Sequence, residues 1–411
     1  MAKMQNVRGT YDLYGAAKRR AKKVVDIASK TVETYGFEEI ETPIFEFTEV
    51  FARNLGDTSD IVTKEMYTFL DKGGESLTLR PEGTAGVVRS FISQGMKQNL
   101  PVKLYYAGPM FRYERPQKGR QRQFTQFGVE MFGVPSAQAD VEMIAMAYTF
   151  LQKLGLDDTV TVEINSLGDK ESRDAYRSVL VAYLKQHING LSDESKERLD
   201  KNPLRILDSK EECDREIVEN APLYTDSLNE TSKQFFAQVL RGLDVLKIPY
   251  RINHRLVRGL DYYSHTVFEL TTDKLGAQGT VLAGGRYDGL VEEMGGGDIA
   301  GIGWACGVER LSMLLDSDVP LKRPVAVIEL GDEAHDTALK TAYELRTKGF
   351  KVECAYSGNI KKRMEKAAKA NAYKAVILGS DEISQGVATV KNLDDGTQKQ
   401  VPLAHLAEEL S

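Results

Sequence analysis

The stretch that most restricts the fold is residues 111–130, in which one strand-like run ends, a loop marked by Pro116 and Gly119 follows, and a second strand-like run returns. Further strand candidates lie at 37–41, 77–80, 102–107, 159–165, 251–257, 266–271 and 279–283. Many of these succeed one another without a helix between them. Parallel neighbours need a crossover of about a dozen residues, so this order predicts an antiparallel sheet with helices packed on it, an α+β core.

Around that core the pattern changes twice. Residues 16–35 place Ala21, Val24, Val25, Ala28, Val32 and Tyr35 on one face of a helix that Gly36 stops. From 170 to 247 the segments turn polar and helical, punctuated by Asn202-Pro203 and Ala221-Pro222, before strands resume at Tyr250. After Met313 a polar stretch precedes a new strand at 325–330, and strand and helix then alternate as in a parallel α/β unit. The expected organisation is a core in two parts, 1–169 and 249–316, separated by a helical insertion at 170–248. A linker at 317–323 and a C-terminal domain at 324–411 complete it.

At 411 residues, with 42% hydrophobic and 28% charged, the chain is long enough for about two to three domains with real cores. No stretch approaches the roughly 18 consecutive apolar residues of a membrane span, and residues 1–6 open into polar sequence, which predicts a cytoplasmic protein. Cys213, Cys306 and Cys354 lie far apart and offer neither a disulfide framework nor a zinc ribbon. Five scattered histidines form no ligand cluster, so no resident metal site is expected and any metal would arrive with a substrate. A net charge of -6 argues against coating DNA by bulk charge, although residues 18–23, 112–122 and 361–369 each carry five cations.

The densest chemistry is in the loop. Arg112, Arg115, Lys118, Arg120 and Arg122 concentrate donors suited to a polyphosphate or a nucleic-acid end. On the returning strand, alternation puts Phe124, Gln126, Gly128 and Glu130 on one face and Thr125, Phe127, Val129 and Met131 on the other. Gln126 and Glu130, about 13 Å apart along the strand at some 3.3 Å per residue, could converge on opposite ends of a small molecule. Arg80-Pro81-Glu82-Gly83-Thr84 ends a strand in a turn where Glu82 is placed to receive an ammonium group and Thr84 to cap the helix 85–92. Arg258, Tyr262 and Tyr263 form a third cluster. In a fourth, Gly284 and Gly285 precede Arg286 and Tyr287, a loose likeness to a phosphate-cradling loop whose glycines can equally be read as permitting a tight turn. In the fifth, residues 301–311 form a small-residue strand running into a helix that presents Arg310, without the spacing of a dinucleotide loop.

Together these stretches resemble class II aminoacyl-tRNA synthetases, and among them the bacterial histidyl-tRNA synthetases. Residues 35–46 with Pro43 resemble motif 1, residues 111–130 motif 2 and residues 301–310 motif 3, while residues 80–84, 256–269 and 284–288 resemble the histidine-specific stretches. The resemblance implies that L-histidine and ATP form histidyl-adenylate, and that the histidyl group passes to histidine tRNA. It implies histidine contacts from Glu82, Gly83, Thr84, Gln126, Glu130, Tyr262, Tyr263 and Tyr287, with Glu130 and Tyr263 on the ring nitrogens. Arg112 and Arg258 would be catalytic and would also touch histidine. Arg112, Glu114, Arg120, Phe124 and Arg310 would hold ATP, with Mg²⁺ on the leaving pyrophosphate, while Arg115 and Gln117 would approach the tRNA acceptor end. A homodimer, no membrane partner and no DNA complete the expectation. Ser264-His265 and residues 11–15 depart from the family pattern. The rival readings are a non-catalytic paralogue, such as the regulatory subunit of ATP phosphoribosyltransferase, and a pure RNA-binding module.

Overall fold

A computed structural model describes residues 4–52, 61–117, 119–258, 260, 262–275, 279–315 and 322–411, excluding the side chains of residues 61 and 63. The chain divides into two compact units, residues 1–319 and 320–411. Of the expected linker, 317–321 lies outside the described residues.

The first unit is built on an eight-stranded sheet, whose order is Glu38–Glu39, Val102–Phe111, Gln123–Phe132, Gly301–Gly307, Thr280–Arg286, Ser264–Thr271, Thr161–Ser166 and Tyr250–Ile252. All interior pairs are antiparallel. Both edge pairs are parallel, and each joins strands far apart in sequence, which leaves room for the long connection a parallel pair needs. The strand expected over 251–257 ends at Ile252. Asn253 turns the chain there, its carbonyl accepting from Leu256 N and its side-chain oxygen from Arg255 N at 3.1 Å.

Alternation along Gln123–Phe132 separates the two faces of the sheet. Phe127, Val129 and Met131 join Ile302 and Trp304 beneath the helices Gly15–Glu33 and Ala137–Lys153. Phe150 and Trp304 stack with planes 7° apart. Each such side chain contributes about 1.5–3 kcal/mol through burial. Phe236, Val239 and Leu243 of the helix Glu230–Val245 belong to the same cluster. The first and last helices of the polar segment cap together: Asp169 accepts from Ser172 N, Asn229 from Ser232 N, and the Asn229 amide donates to Asp169 at 2.7 Å.

A three-stranded sheet of Phe45–Phe47, Ser76–Leu79 and Tyr67–Leu70 was not anticipated in two of its strands. Phe45 and Phe47 are 52% and 51% exposed while Glu46 between them is 9% exposed and paired with Arg89. That inverts the pattern by which a half-buried strand is recognised.

In the second unit, Val352–Cys354, Val325–Glu329 and Lys374–Leu378 pair in parallel, and Val387–Asn392 and Gln398–Pro402 extend the sheet antiparallel.

Candidate active site

The face of the large sheet opposite the helices stays open because glycine recurs on it. Gly128 lies opposite Tyr106, and Gly303 opposite Glu130. A Cβ at Gly128 or at Gly83 would run into the Tyr106 ring, and one at Gly303 into the Glu130 carboxylate. The result is a cleft of about 660 Å³.

At its floor, Glu82, Thr84, Gln126 and Glu130 meet. The helix expected over 85–92 spans Thr84–Ser93, and Thr84 is not its cap. Glu82 satisfies the first turn instead, its carboxylate accepting from Thr84 N at 2.7 Å and Ala85 N at 2.8 Å. The Thr84 hydroxyl is thereby left to donate to Glu130 at 2.7 Å. Gly83 lies behind the wall, donating its N–H to Gln126 Oε1 at 3.1 Å, and the Tyr106 hydroxyl donates to the same oxygen at 3.3 Å.

Glu130 is 1% exposed, and the Tyr287 hydroxyl donates to its second oxygen. Burial pushes the Glu130 carboxyl up to about 8 against the pull of the Tyr287 and Thr84 hydroxyls, with the nearby Glu82 adding to the rise. Burial also raises Glu82, opposed by the two backbone N–H groups and by Arg112. The phenols of Tyr262 and Tyr287 are held well above their ordinary range by burial, so both stand as neutral donors. Tyr263 is raised as well, by burial, with the Arg258 charge pulling the other way.

Cations line the next part of the cleft. Arg112 donates Nε to the Pro81 carbonyl at 2.8 Å and lies over the Phe124 ring, 5.3 Å from its centre. Arg258 pairs with Glu269, whose other oxygen accepts from Thr280 at 2.7 Å. Its Nε has no hydrogen-bond partner among the described residues. Burial opposes the Arg258 charge, but Glu269 and Tyr263 outweigh it and raise its pKa. Arg120 donates to Glu114 at 3.1 Å. Arg310, from the first turn of the helix Val308–Leu314, also lines the cleft, and burial followed by the Arg120 charge lowers its pKa.

Of the residues singled out from the sequence, Glu82, Thr84, Arg112, Glu114, Arg120, Phe124, Gln126, Glu130, Arg258, Tyr262, Tyr263, Tyr287 and Arg310 line this one cleft. Arg115 and Gln117 are exposed and outside it. Arg286 is not a phosphate ligand: it is fully buried, bonded to Asp140, Asp288 and the Val134 and Ser136 carbonyls. Gly284 and Gly285 lie within a strand rather than in a turn, where a Cβ on Gly285 would stand 2.7 Å from the Thr266 carbonyl.

Missed from the sequence were Tyr106, Glu269, and Arg205 and Lys210 of the polar segment, the last three lining the cleft. Glu269 carried a signal, as the acid that closes the stretch 256–269.

Residues 9–311 match the family model described as histidyl-tRNA synthetase, and residues 324–411 the one described as anticodon binding domain. The curated histidine–tRNA ligase of Rhodospirillum rubrum is 56% identical, covering 100% of this chain and 99% of its own. That of Gluconobacter oxydans is 53% identical, with the same coverage. Among solved structures, the apo histidyl-tRNA synthetase of S. aureus is 37% identical, with a TM-score of 0.84 over 99% of each chain.

Proposed function

We propose a division of labour in the cleft from the premise that the chain belongs to the histidyl-tRNA synthetase family. Its reaction is the charging of histidine tRNA: histidine and ATP give histidyl-adenylate and pyrophosphate, and the histidyl group then passes to the 3′ end of the tRNA. The observation that carries the division is the convergence of two buried carboxylates and two guanidiniums, Glu82 and Glu130 with Arg112 and Arg258, in one cleft.

Glu82, held by two backbone N–H groups, receives the α-ammonium, with Thr84, Gln126 and Gly83 shaping its surroundings. Glu130 and Tyr263 take the two ring nitrogens of the substrate imidazole. Tyr287 holds Glu130, and Tyr262 closes the wall. A site that pairs both ring nitrogens rejects isosteres that leave those partners unmet.

Arg258 bridges the histidine carboxylate and the α-phosphate, exchanging Glu269 for substrate, while Arg112 binds the α-phosphate from the other side. The carboxylate oxygen attacks phosphorus in line and pyrophosphate leaves, with no covalent bond to the enzyme. Adenine stacks on Phe124 and is bounded by Glu114 and Arg310, and Arg120 faces the leaving pyrophosphate. Mg²⁺ belongs to the nucleotide substrate. Among the described residues there is no group of three or more His, Cys, Asp or Glu side chains that could hold a metal ion. Arg115 and Gln117, which are exposed on the loop, meet the acceptor end in this proposal, and the basic run 361–369 meets the anticodon.

The proposal extends to a cytoplasmic homodimer built through the exposed face of Phe45, Phe47 and Phe69. It keeps the division of the first unit at 1–169, 170–248 and 249–316. Partners are histidine and histidine tRNA, with neither DNA nor membrane. No helix among the described residues is long and apolar enough to cross a bilayer.

ATP–pyrophosphate exchange with each of the twenty amino acids tests the reading. Exchange with histidine alone is expected. A folded protein that binds histidine without exchange would overturn it in favour of the regulatory paralogue.

A further inference from the structure

The described part of the N-terminal segment, from residue 4, lines no part of the cleft, yet it grips the loop that supplies most of the nucleotide ligands. The Gly9 carbonyl accepts the backbone N–H of Arg122 at 2.8 Å. Gly9 has φ +86°, and a Cβ there would stand 2.8 Å from Arg122 Cγ, 2.9 Å from its Cδ and 3.0 Å from Pro116 Cγ. The position thus requires glycine both for its left-handed backbone and for the closeness of the loop. The turn leading to it is set by Thr10, whose N–H and hydroxyl both donate to the Val7 carbonyl, at 3.0 and 2.8 Å.

Arg122 spends its guanidinium inside the loop. Its Nε donates to the Glu114 carbonyl at 3.3 Å, its charge lies 3.9 Å from the centre of the Tyr113 ring, and its own carbonyl accepts from Arg112 N at 2.9 Å. Fixing Arg122 therefore fixes the backbone of both Arg112 and Glu114. Two residues beyond Gly9, burial, then the Glu309 charge, pushes the Tyr11 hydroxyl up to about 12, and Leu13 packs against the core cluster that holds Val308 and Leu311 of the helix carrying Arg310. Glu309 in turn accepts Thr125 N with both oxygens, at 2.8 and 3.0 Å, and precedes Arg310. The segment so spans the two elements between which the nucleotide is proposed to sit.

We infer that Gly9, with its Thr10 turn, is a positioning residue for the ATP site, holding the loop so that Arg112, Glu114 and Arg120 face Arg310 before the nucleotide arrives. The inference rests on the assignment of this part of the cleft to ATP. The physical need is clear: the loop and Arg310 gather like charges that repel until phosphate enters. A loop already restrained loses less entropy on binding.

The test is ATP–pyrophosphate exchange with ATP and histidine varied separately, in wild type, Gly9→Ala, Thr10→Ala and Thr10→Ser. Gly9→Ala raises KM for ATP about tenfold and leaves KM for histidine within about twofold, and Thr10→Ala shows the same split at about threefold. Thr10→Ser, which keeps the hydroxyl, restores wild-type values. The inference is overturned if both KM values move together, if neither moves, or if Thr10→Ser is as impaired as Thr10→Ala. Should Gly9→Ala fail to fold, the Thr10 pair decides. Absence of exchange in the wild type would refute the ATP assignment itself, whereas an active wild type with unaltered variants refutes the positioning role alone.

Discussion

The Thr84 hydroxyl donates to the Glu130 carboxylate at 2.7 Å, tying the first turn of one helix to a strand 46 residues further along the chain. With Tyr287 on the other oxygen, Glu130 is held from two directions before histidine binds. Thr84→Val keeps the shape and removes the donor, leaving a buried acceptor short of a partner at a cost of about 1–3 kcal/mol. KM for histidine is expected to rise about tenfold with KM for ATP unchanged. Unaltered histidine kinetics in this variant would remove Thr84 from the site.

The raised Glu130 makes folding stability pH-dependent in a definite direction. Its carboxyl titrates at about 8 in the fold against an ordinary value of 4.5. Between those limits the folded state holds a proton that the unfolded chain has lost, so this group lowers stability as pH rises, by at most about 1.4 kcal/mol per pH unit. Below the window it has no effect, and above it the loss is complete. Glu130→Gln abolishes that component, so its Tm should fall less between pH 5 and 8 than that of the wild type. Parallel Tm profiles for the two proteins would contradict the assignment.

Arg258→Ala deletes a guanidinium aimed at developing negative charge. Adenylate formation should drop about 10²–10³-fold in kcat while the thermal midpoint stays within a few degrees. Single-turnover formation of histidyl-adenylate reads this directly. A wild-type rate would rule out the role.

Asp140 and Arg286 form a fully buried ion pair joining the helix Ala137–Lys153 to the strand Thr280–Arg286. Asp140→Ala strands the guanidinium and should cost about 3–5 kcal/mol, seen as a lower denaturant midpoint. A variant as stable as wild type would mean that the Asp288 contact alone suffices.

Much of this architecture was legible in local pattern. Alternation assigned Phe127 and Val129 to the core and Gln126 and Glu130 to the cleft, because neighbouring residues on a strand must point to opposite faces. The exposed strand Phe45–Phe47 escaped notice for the same reason, since its aromatic residues face outward. Glu82 was singled out from the sequence and lines the cleft, but its bonds to the helix start were not foreseen, because capping by Thr84 fits the local sequence equally well.

The amino-acid sequence alone determined the class of fold, the family and thirteen of the residues that meet in the cleft, since strand alternation and motif spacing are local properties of the chain. Tertiary structure alone decided which polar groups pair: Thr84 with Glu130, Arg258 with Glu269, and Arg286 with Asp140 rather than with a phosphate. Buried donors and acceptors must find partners, and the choice among them depends on which strands lie side by side, a matter of register between segments remote in sequence.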